Sequence, residues 1–497
     1  MSSSLAAGPN SLGTNDRPAT PEFPPAEEAV LPALPRHHVA ATTRLSTPKS
    51  LSKPTDTDTD IDTRDACTVS VLAAQQRVKL VKGKDGNWLP APDARLVNNL
   101  SWVVGFMELA NACDFAANVW NSIPVPLYAV VLMAIGGSVA GFLSIFAFRD
   151  AKRACYNCRY LRKQRTLLLQ EKSQRQREAK FDSTMELDVV LDINTRELGT
   201  ELLARWIMDL LMGCGAILIS IGTFMAIGGA DPKVFLASNL LSGYVGNTPI
   251  ALFGLVNSSW AGFVFFKAQG HVTASRRLLG SCTAAALVKR RARRVQAFSV
   301  INGTATILGG AGSMVTATRW WGYLILLPVI ISSILCNMWW RRVIGYTRSE
   351  GHPNMVSEEL SKALELAAAA KVRSRHDAEA LKWCSEMPTR LGDMLSFLSL
   401  HSLFHQYCLE ALANTELRQA LGGNDCDATA LEISPYDIFA LPCELHPMLM
   451  DAAKKVVDSV TQDHFTNRER YLSELLGTYC SIVWKQGRLD KQDLEKA

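Results

Sequence analysis

Between Pro232 and Ser349 the chain runs for 118 residues without an Asp or a Glu. Thirteen Lys and Arg fall in that stretch, all at the ends of or between three uncharged blocks, Val234–Phe266, Val295–Thr318 and Trp320–Trp340. Other features are missing as well. The first 30 residues hold no sustained apolar run, so no cleavable secretory signal is expected and an internal span must direct targeting. The twelve cysteines are scattered, and Cys155-xx-Cys158 has no second CxxC to complete four zinc ligands. No Walker loop, nucleophile elbow or kinase signature occurs, and no acidic cluster suits a divalent cation. These absences weigh against an enzyme, and no catalytic residue, cofactor or metal is expected.

What is present is apolar length. A hydrocarbon core of about 30 Å needs roughly 20 mostly apolar helical residues to cross it, and each of the three blocks is long enough. Charge is partitioned to match. Residues 1–123 carry 11 basic and 13 acidic side chains, 124–349 carry 26 and 11, and 350–497 carry 15 and 23. The excess positive charge flanks the spans, where it would face anionic lipid. Nucleic-acid binding is the weaker reading, because every basic run abuts an apolar span.

In chain order, residues 1–95 read as a Pro/Ser/Thr-rich disordered tail, with nine prolines between Pro9 and Pro54. A short hairpin over Val78–Asn87, turning at Lys84-Asp85-Gly86, is its one structured possibility. Thr20 and Thr47, each followed by proline, are candidate phosphorylation sites. A transmembrane domain over 96–349 follows, with spans at about 127–148, 210–230, 249–266, 295–318 and 320–340. Val234–Asn247 reads as an external loop or re-entrant piece. Basic loops at 149–209 and 267–294 place one side in the cytosol by the positive-inside rule, and the absence of Gly and Pro from Phe142 to Leu198 predicts that the helix of 127–148 continues well into the first of them. Residues 350–497 read as a cytosolic helical domain, helical over Val356–Cys384, Leu391–Leu421, His446–Thr461 and Asn467–Trp484. The expected fold is therefore all-α, a polytopic membrane protein with a helical C-terminal domain.

A sixth span at 97–120 is the open question. Glu108, Asn111, Asp114 and Asn118 are spaced 3, 3 and 4 and would share one face of an α-helix. Two carboxyls near a span centre would each cost about 2.5–3.5 kcal/mol, against about 0.3–0.6 returned per Leu, Val or Phe. Alone, the segment inserts poorly. Paired with 127–148 as a hairpin across Ile123-Pro-Val-Pro126, it could turn its polar stripe towards protein; otherwise it lies on the surface. Six spans keep both termini cytosolic and are favoured, since five would leave a long tail translocated.

Two sets of residues carry chemical interest. Glu108 and Asp114, with Asn257 and Asn302 in later spans, form a candidate polar pathway of the kind a transporter or channel needs. Small-residue packing with interhelical hydrogen bonds is the structural alternative. Cys155 and Cys158, just past a span, are candidate palmitoylation sites. His401, His405 and Cys408 share a helical face, which amphipathic packing explains more simply than metal binding.

The layout over residues 96–497, with the run Leu109-Ala-Asn-Ala-Cys-Asp-Phe115, resembles functionally uncharacterised multi-pass integral membrane proteins of filamentous fungi. That resemblance implies no catalytic residues. The first functional expectation is a non-enzymatic membrane protein whose cytosolic domain scaffolds or regulates protein partners. The second is a small-solute transporter or channel. Neither organelle nor oligomeric state follows from the residues.

Overall fold

The computed structural model describes residues 77–83, 87–90, 102–120, 124–177, 184–348, 355–376, 387–422 and 429–494. Thr20, Thr47 and the turn Lys84-Asp85-Gly86 lie outside them. The described residues are helical apart from one three-stranded sheet. Four helices are long and apolar enough to cross a membrane, Leu127–Arg177, Met185–Ala226, Pro232–Leu279 and Gly322–Ile344.

Helix α1 (Phe115–Val119) is a single short turn preceding α2 (Leu127–Arg177), which runs for 51 residues. At about 1.5 Å per residue α2 is more than twice as long as a hydrocarbon core is thick, so its basic half projects well past any bilayer. Helix α3 (Met185–Glu201) continues through a π-helical turn at Leu202–Ile207 into α4 (Met208–Ala226). Helix α5 (Pro232–Asn239) starts where the Asp231 side chain accepts from the Lys233 N–H at 2.8 Å, with proline in its first turn. Through a second π turn, Leu240–Val245, it passes into α6 (Asn247–Leu279). Helices α7 (Thr283–Thr316) and α8 (Gly322–Trp339) complete the apolar layer.

Several sequence expectations change here. The basic regions 149–209 and 267–294 are largely helix: α2 continues past its apolar segment as the lack of Gly and Pro from Phe142 to Leu198 leads one to expect, and α3, α6 and α7 also extend beyond theirs. A tight turn around Gly280, at φ 65°, joins α6 to α7. Val234–Asn247 is a helical start to α6 rather than an external loop. Of the segment 97–120 the described residues 102–120 form no continuous α-helix: Trp102–Ala112 is 3-10, and a turn precedes α1. The expected span 295–318 forms the second half of α7, but its Gly, Ser, Thr and Asn leave it less apolar than the four spans.

Small residues set the helix spacing. Gly254 of α6 faces the Thr306 carbonyl of α7 so closely that a Cβ would come within 2.5 Å of that oxygen. This is the close-packing line expected from Gly254, Ser258 and Gly262, except that Gly262 meets nothing within 4 Å. In α2 the Gly137 carbonyl accepts from the Ser220 hydroxyl of α4 at 2.7 Å, so the Gly137-xxx-Gly141 spacing brings those two helices together.

Beyond the apolar layer lie two cores. Helices α9 (Ser357–His376) and α15 (Gln462–Leu494) pack on the extended ends of α3, α6 and α7 around Val189, Ile193, Val288, Leu364 and Leu475. The second core holds α10 (Leu391–Leu400), α11 (Phe404–Ala413), α12 (Thr415–Ala420), α13 (Pro435–Phe439) and α14 (His446–Ser459). The expected long helix Leu391–Leu421 is thus three short ones. Ser402, at φ 53°, and Asn414, capping the third, mark its breaks.

This second core also takes in the N-terminal strands. β1 (Val78–Lys82) pairs antiparallel with β2 (Trp88–Pro90) and with β3 (Ala430–Ile433), in the order β2-β1-β3. Val78 lies opposite Ile433 and Leu80 opposite Leu431. The alternate residues Val78 and Leu80, with Trp88, point into the same core as Leu395, Tyr407 and Leu449. The expected disordered tail therefore contains paired strands between residues 78 and 90.

Candidate functional site

The 3-10 segment Trp102–Ala112 packs against α8, α2 and α4. With three residues per turn, side chains three apart eclipse one another, so Glu108 and Asn111 share one row; Asp114 lies in the turn that follows, and all three are buried. Asn111 donates through Nδ2 to Glu108 Oε2 at 2.6 Å. Asp114 has its own partners. Its Oδ1 accepts from the Tyr323 hydroxyl at 2.8 Å and its Oδ2 from Asn118 Nδ2 at 2.9 Å. The same Asn118 amide donates to the Tyr323 oxygen at 2.7 Å. Asp114 is thus the acceptor of a closed triangle joining α1 to α8.

Glu108 differs in lining a cavity of about 110 Å³ between the helices, together with Asn257, Asn302, Thr306, Arg205 and Asn337. A second cavity of about 90 Å³ shares Thr200, Ala204, Asn257, Phe298, Asn302 and Trp340 with the first, and reaches Arg196, Glu197 and Tyr346. The two follow one flank of α7, along which Ser299, Asn302, Thr306 and Gly309 succeed one another at steps of 3, 4 and 3. Glu108 lies against Gly309, whose added Cβ would be 3.4 Å from its Oε2. Asn257 Nδ2 donates to Thr306 Oγ1 at 3.2 Å. Ser299 and Thr306 hydroxyls turn back on carbonyls of their own helix, Val295 and Gly303. Three of the four expected pathway residues, Glu108, Asn257 and Asn302, thus share one cavity, and Asp114 stands apart from it.

At its Arg205 wall the cavity meets a charge cluster that the sequence reading missed. Arg205 donates to Glu201 Oε2 at 2.8 Å and to Asp150 Oδ2 at 3.1 Å, and all three side chains are buried or nearly so. One turn further on, Asp209 is fully buried and neither carboxyl oxygen finds a donor. Glu197, Glu201, Arg205 and Asp209 recur every four residues. That helical spacing was the available signal, hidden by treating the segment as the end of a basic loop.

A second network ties α15 to the helix ends. Glu474 of α15 pairs with Arg196 of α3 and lies 3.8 Å from His271 Nδ1 of α6. Burial by itself pushes the Glu474 carboxyl up, but Arg196, His271, Arg291 and Lys267 around it prevail and hold it at about 2. Arg196 also donates to the Tyr346 oxygen at 2.9 Å, and the Tyr346 hydroxyl donates to Glu197 Oε1 at 2.9 Å. Arg348 pairs with the same Glu197. Asn467 clamps the strap after α8, accepting from the Thr347 N–H at 2.7 Å and donating to its carbonyl at 2.8 Å. Little of this is open to solvent, so salt screens it far less than it would surface attraction between an acidic domain and basic loops.

Of the remaining candidates, Cys158 is buried along α2 and Cys155 is half-buried, both as free thiols. His401 and Cys408 pack in the second core, with the His401 ring 4.6 Å from that of Phe397. Among the described residues no group of three or more His, Cys, Asp or Glu is arranged to hold a metal ion. No family model matches this chain, and neither the curated proteins nor the solved structures contain a significant match to it.

Proposed function

We propose that this is a six-span membrane protein that carries a small polar solute, with hydrogen-bond donors or a positive charge, through the cavity lined by Glu108, Asn257 and Asn302. The observation that carries this reading is the gathering of those three polar residues in one cavity between helices apolar enough to lie in lipid. A carboxyl at that depth is costly, and such groups usually face a substrate or ion pathway. About ten residues of α7 separate Ser299 from Gly309, roughly 15 Å along the helix axis, which corresponds to half a hydrocarbon core.

The strand pairing supports the even number of spans. β1 precedes all the apolar helices and β3 follows them, yet their backbones hydrogen-bond directly, and a sheet so joined lies on one side of a bilayer. Five crossings by α2, α4, α5–α6, α7 and α8 then need a sixth, supplied by Trp102–Val119. With basic residues on the extended helix ends, both termini belong in the cytosol. The scaffolding expectation has no comparable support, since α15 engages the protein's own membrane helices.

The test is flux into liposomes containing the full-length protein, using a panel of monovalent cations and small amines. Glu108→Gln and Asn302→Leu should abolish whatever flux the parent supports, and Asp114→Asn should retain more of it. Absence of flux for every probe, or flux indifferent to Glu108→Gln, would refute a transport role.

A further inference from the structure

At the end of α7 that carries its basic run, five cations converge on a small cavity of about 60 Å³. Arg290, Arg291 and Arg294 come from α7, Lys371 from α9 and Arg470 from α15, and the only carboxylate in the wall is Glu469. Glu469 is shared, lying 2.5 Å from Lys371 and 3.9 Å from Arg290. Arg291 also feels the Glu474 carboxylate at longer range, but makes no direct ion pair with it. Arg291, only 8% exposed, donates to the Val343 carbonyl at 2.9 Å and to that of Ile344. Arg470 donates to the Gly345 carbonyl at 3.0 Å. Carbonyls satisfy donors without cancelling charge, and among the described residues no carboxylate lies within ion-pair distance of Arg291, Arg294 or Arg470. The Arg291 Nε is also buried without a partner.

Arg290 and Arg294 are exposed and Lys371 and Arg470 half-buried, but five like charges around one carboxylate repel one another unless a counter-charge joins them. We propose that this cavity binds a phosphomonoester. Such a group brings about 1.5 to 2 negative charges and three strong acceptor oxygens, and it suits arginine forks contributed from more than one helix. The depth also fits. Arg290–Arg294 directly precede the uncharged half of α7, and Val343–Gly345 directly follow Trp339 and Trp340, so the cavity lies where phospholipid headgroups would be. Bound there, the anion would join α9 and α15 to α7. The Glu108 cavity shares none of these residues, although Arg291 also lines the second cavity, and the proposal does not depend on transport.

Two probes distinguish the sources of the phosphate. Full-length protein in phosphatidylcholine nanodiscs would be titrated with dioctanoyl phosphatidylinositol 4,5-bisphosphate or with inorganic phosphate, following the thermal unfolding midpoint. A saturable rise is expected, with apparent affinity about tenfold or more weaker in Arg290→Gln/Arg294→Gln, as loss of charge-assisted hydrogen bonds implies. Arg276→Gln/Arg341→Gln, removing equal charge outside the cavity, should bind as the parent does. A rise with the lipid alone identifies a headgroup as the ligand, and an equal rise with inorganic phosphate identifies the free anion. No saturable rise with either probe, or equal weakening in both double variants, overturns the site. Should the first double variant unfold early without ligand, Arg294→Gln alone serves, since that side chain is exposed.

Discussion

The protein keeps two groups of buried polar side chains, and they are satisfied in opposite ways. Around Glu474 ion pairs and a tyrosine hydroxyl dominate, contributed by α3, α6, α15 and the strap after α8, although His271 Nε2 and Arg291 Nε find no hydrogen-bond partner. Around Glu108 the partners are few. One bond from Asn111 reaches the carboxyl, and the other polar groups beside it face open volume. A network of opposed charges fixes one arrangement of helices. An unsaturated one retains hydrogen-bonding capacity for something that enters. The same contrast separates Asp114 from Glu108 six residues away, one closed in a triangle and the other lining a cavity.

Substitutions test that contrast most severely at Glu474. Glu474→Gln leaves Arg196 buried beside half a partner and should cost about 3–5 kcal/mol, the range for breaking a buried ion pair, read as a lower unfolding midpoint in detergent. Asp114→Ala strands the Asn118 amide and the Tyr323 hydroxyl and should cost about 2–3 kcal/mol in the same measurement. Gly254→Ala pushes against the Thr306 carbonyl and should cost about 1–3 kcal/mol, typical of overpacking. Glu108→Gln comes last, within about 1 kcal/mol of the parent, because an amide still accepts from Asn111. A large stability loss there would mean that Glu108 is structural, and the contrast would fail.

Acid provides an independent check. A carboxyl held at about 2 when folded, against 4.5 ordinarily, binds fewer protons in the native state than in the unfolded state. Its contribution is complete above about pH 4.5 and is lost as the pH falls towards 2. The parent should lose stability across that window, and Glu474→Gln should lose less there. Equal acid sensitivity in both proteins would shift the effect to other carboxyls.

Much of the framework could be read from the residues. Uncharged runs fixed the apolar helices, glycine spacings marked α2 against α4 and α6 against α7, and Asn257 and Asn302 were found by their place in such runs. The misses have physical causes. A 3,3,4 spacing fits an α-helix and a 3-10 helix nearly equally well, and packing of Trp102–Ala112 against α8, α2 and α4 decided between them. Asp114 looked equivalent to Glu108 because its partner Tyr323 lies 209 positions away. The buried charges of α3 were masked by an overall basic composition, in which four residues at a regular interval are a faint signal. β1 was legible only as half of a weak hairpin, since its stabilising partner, β3, occurs near the other end of the chain.

That separation bears on biosynthesis. Val78 emerges from the ribosome some 355 residues before Ile433, with which it finally pairs. In the interval every apolar helix is synthesised, and β1 has only β2 beside it, a two-stranded ribbon too small to be stable in water. Closing so long a loop contributes little local gain before it is complete, which makes sheet closure a late event that follows insertion. A chain halted before Ala430 would leave β1 open along one edge, and unpaired edges recruit other strands. The small sheet can therefore close only on a chain synthesised as far as β3.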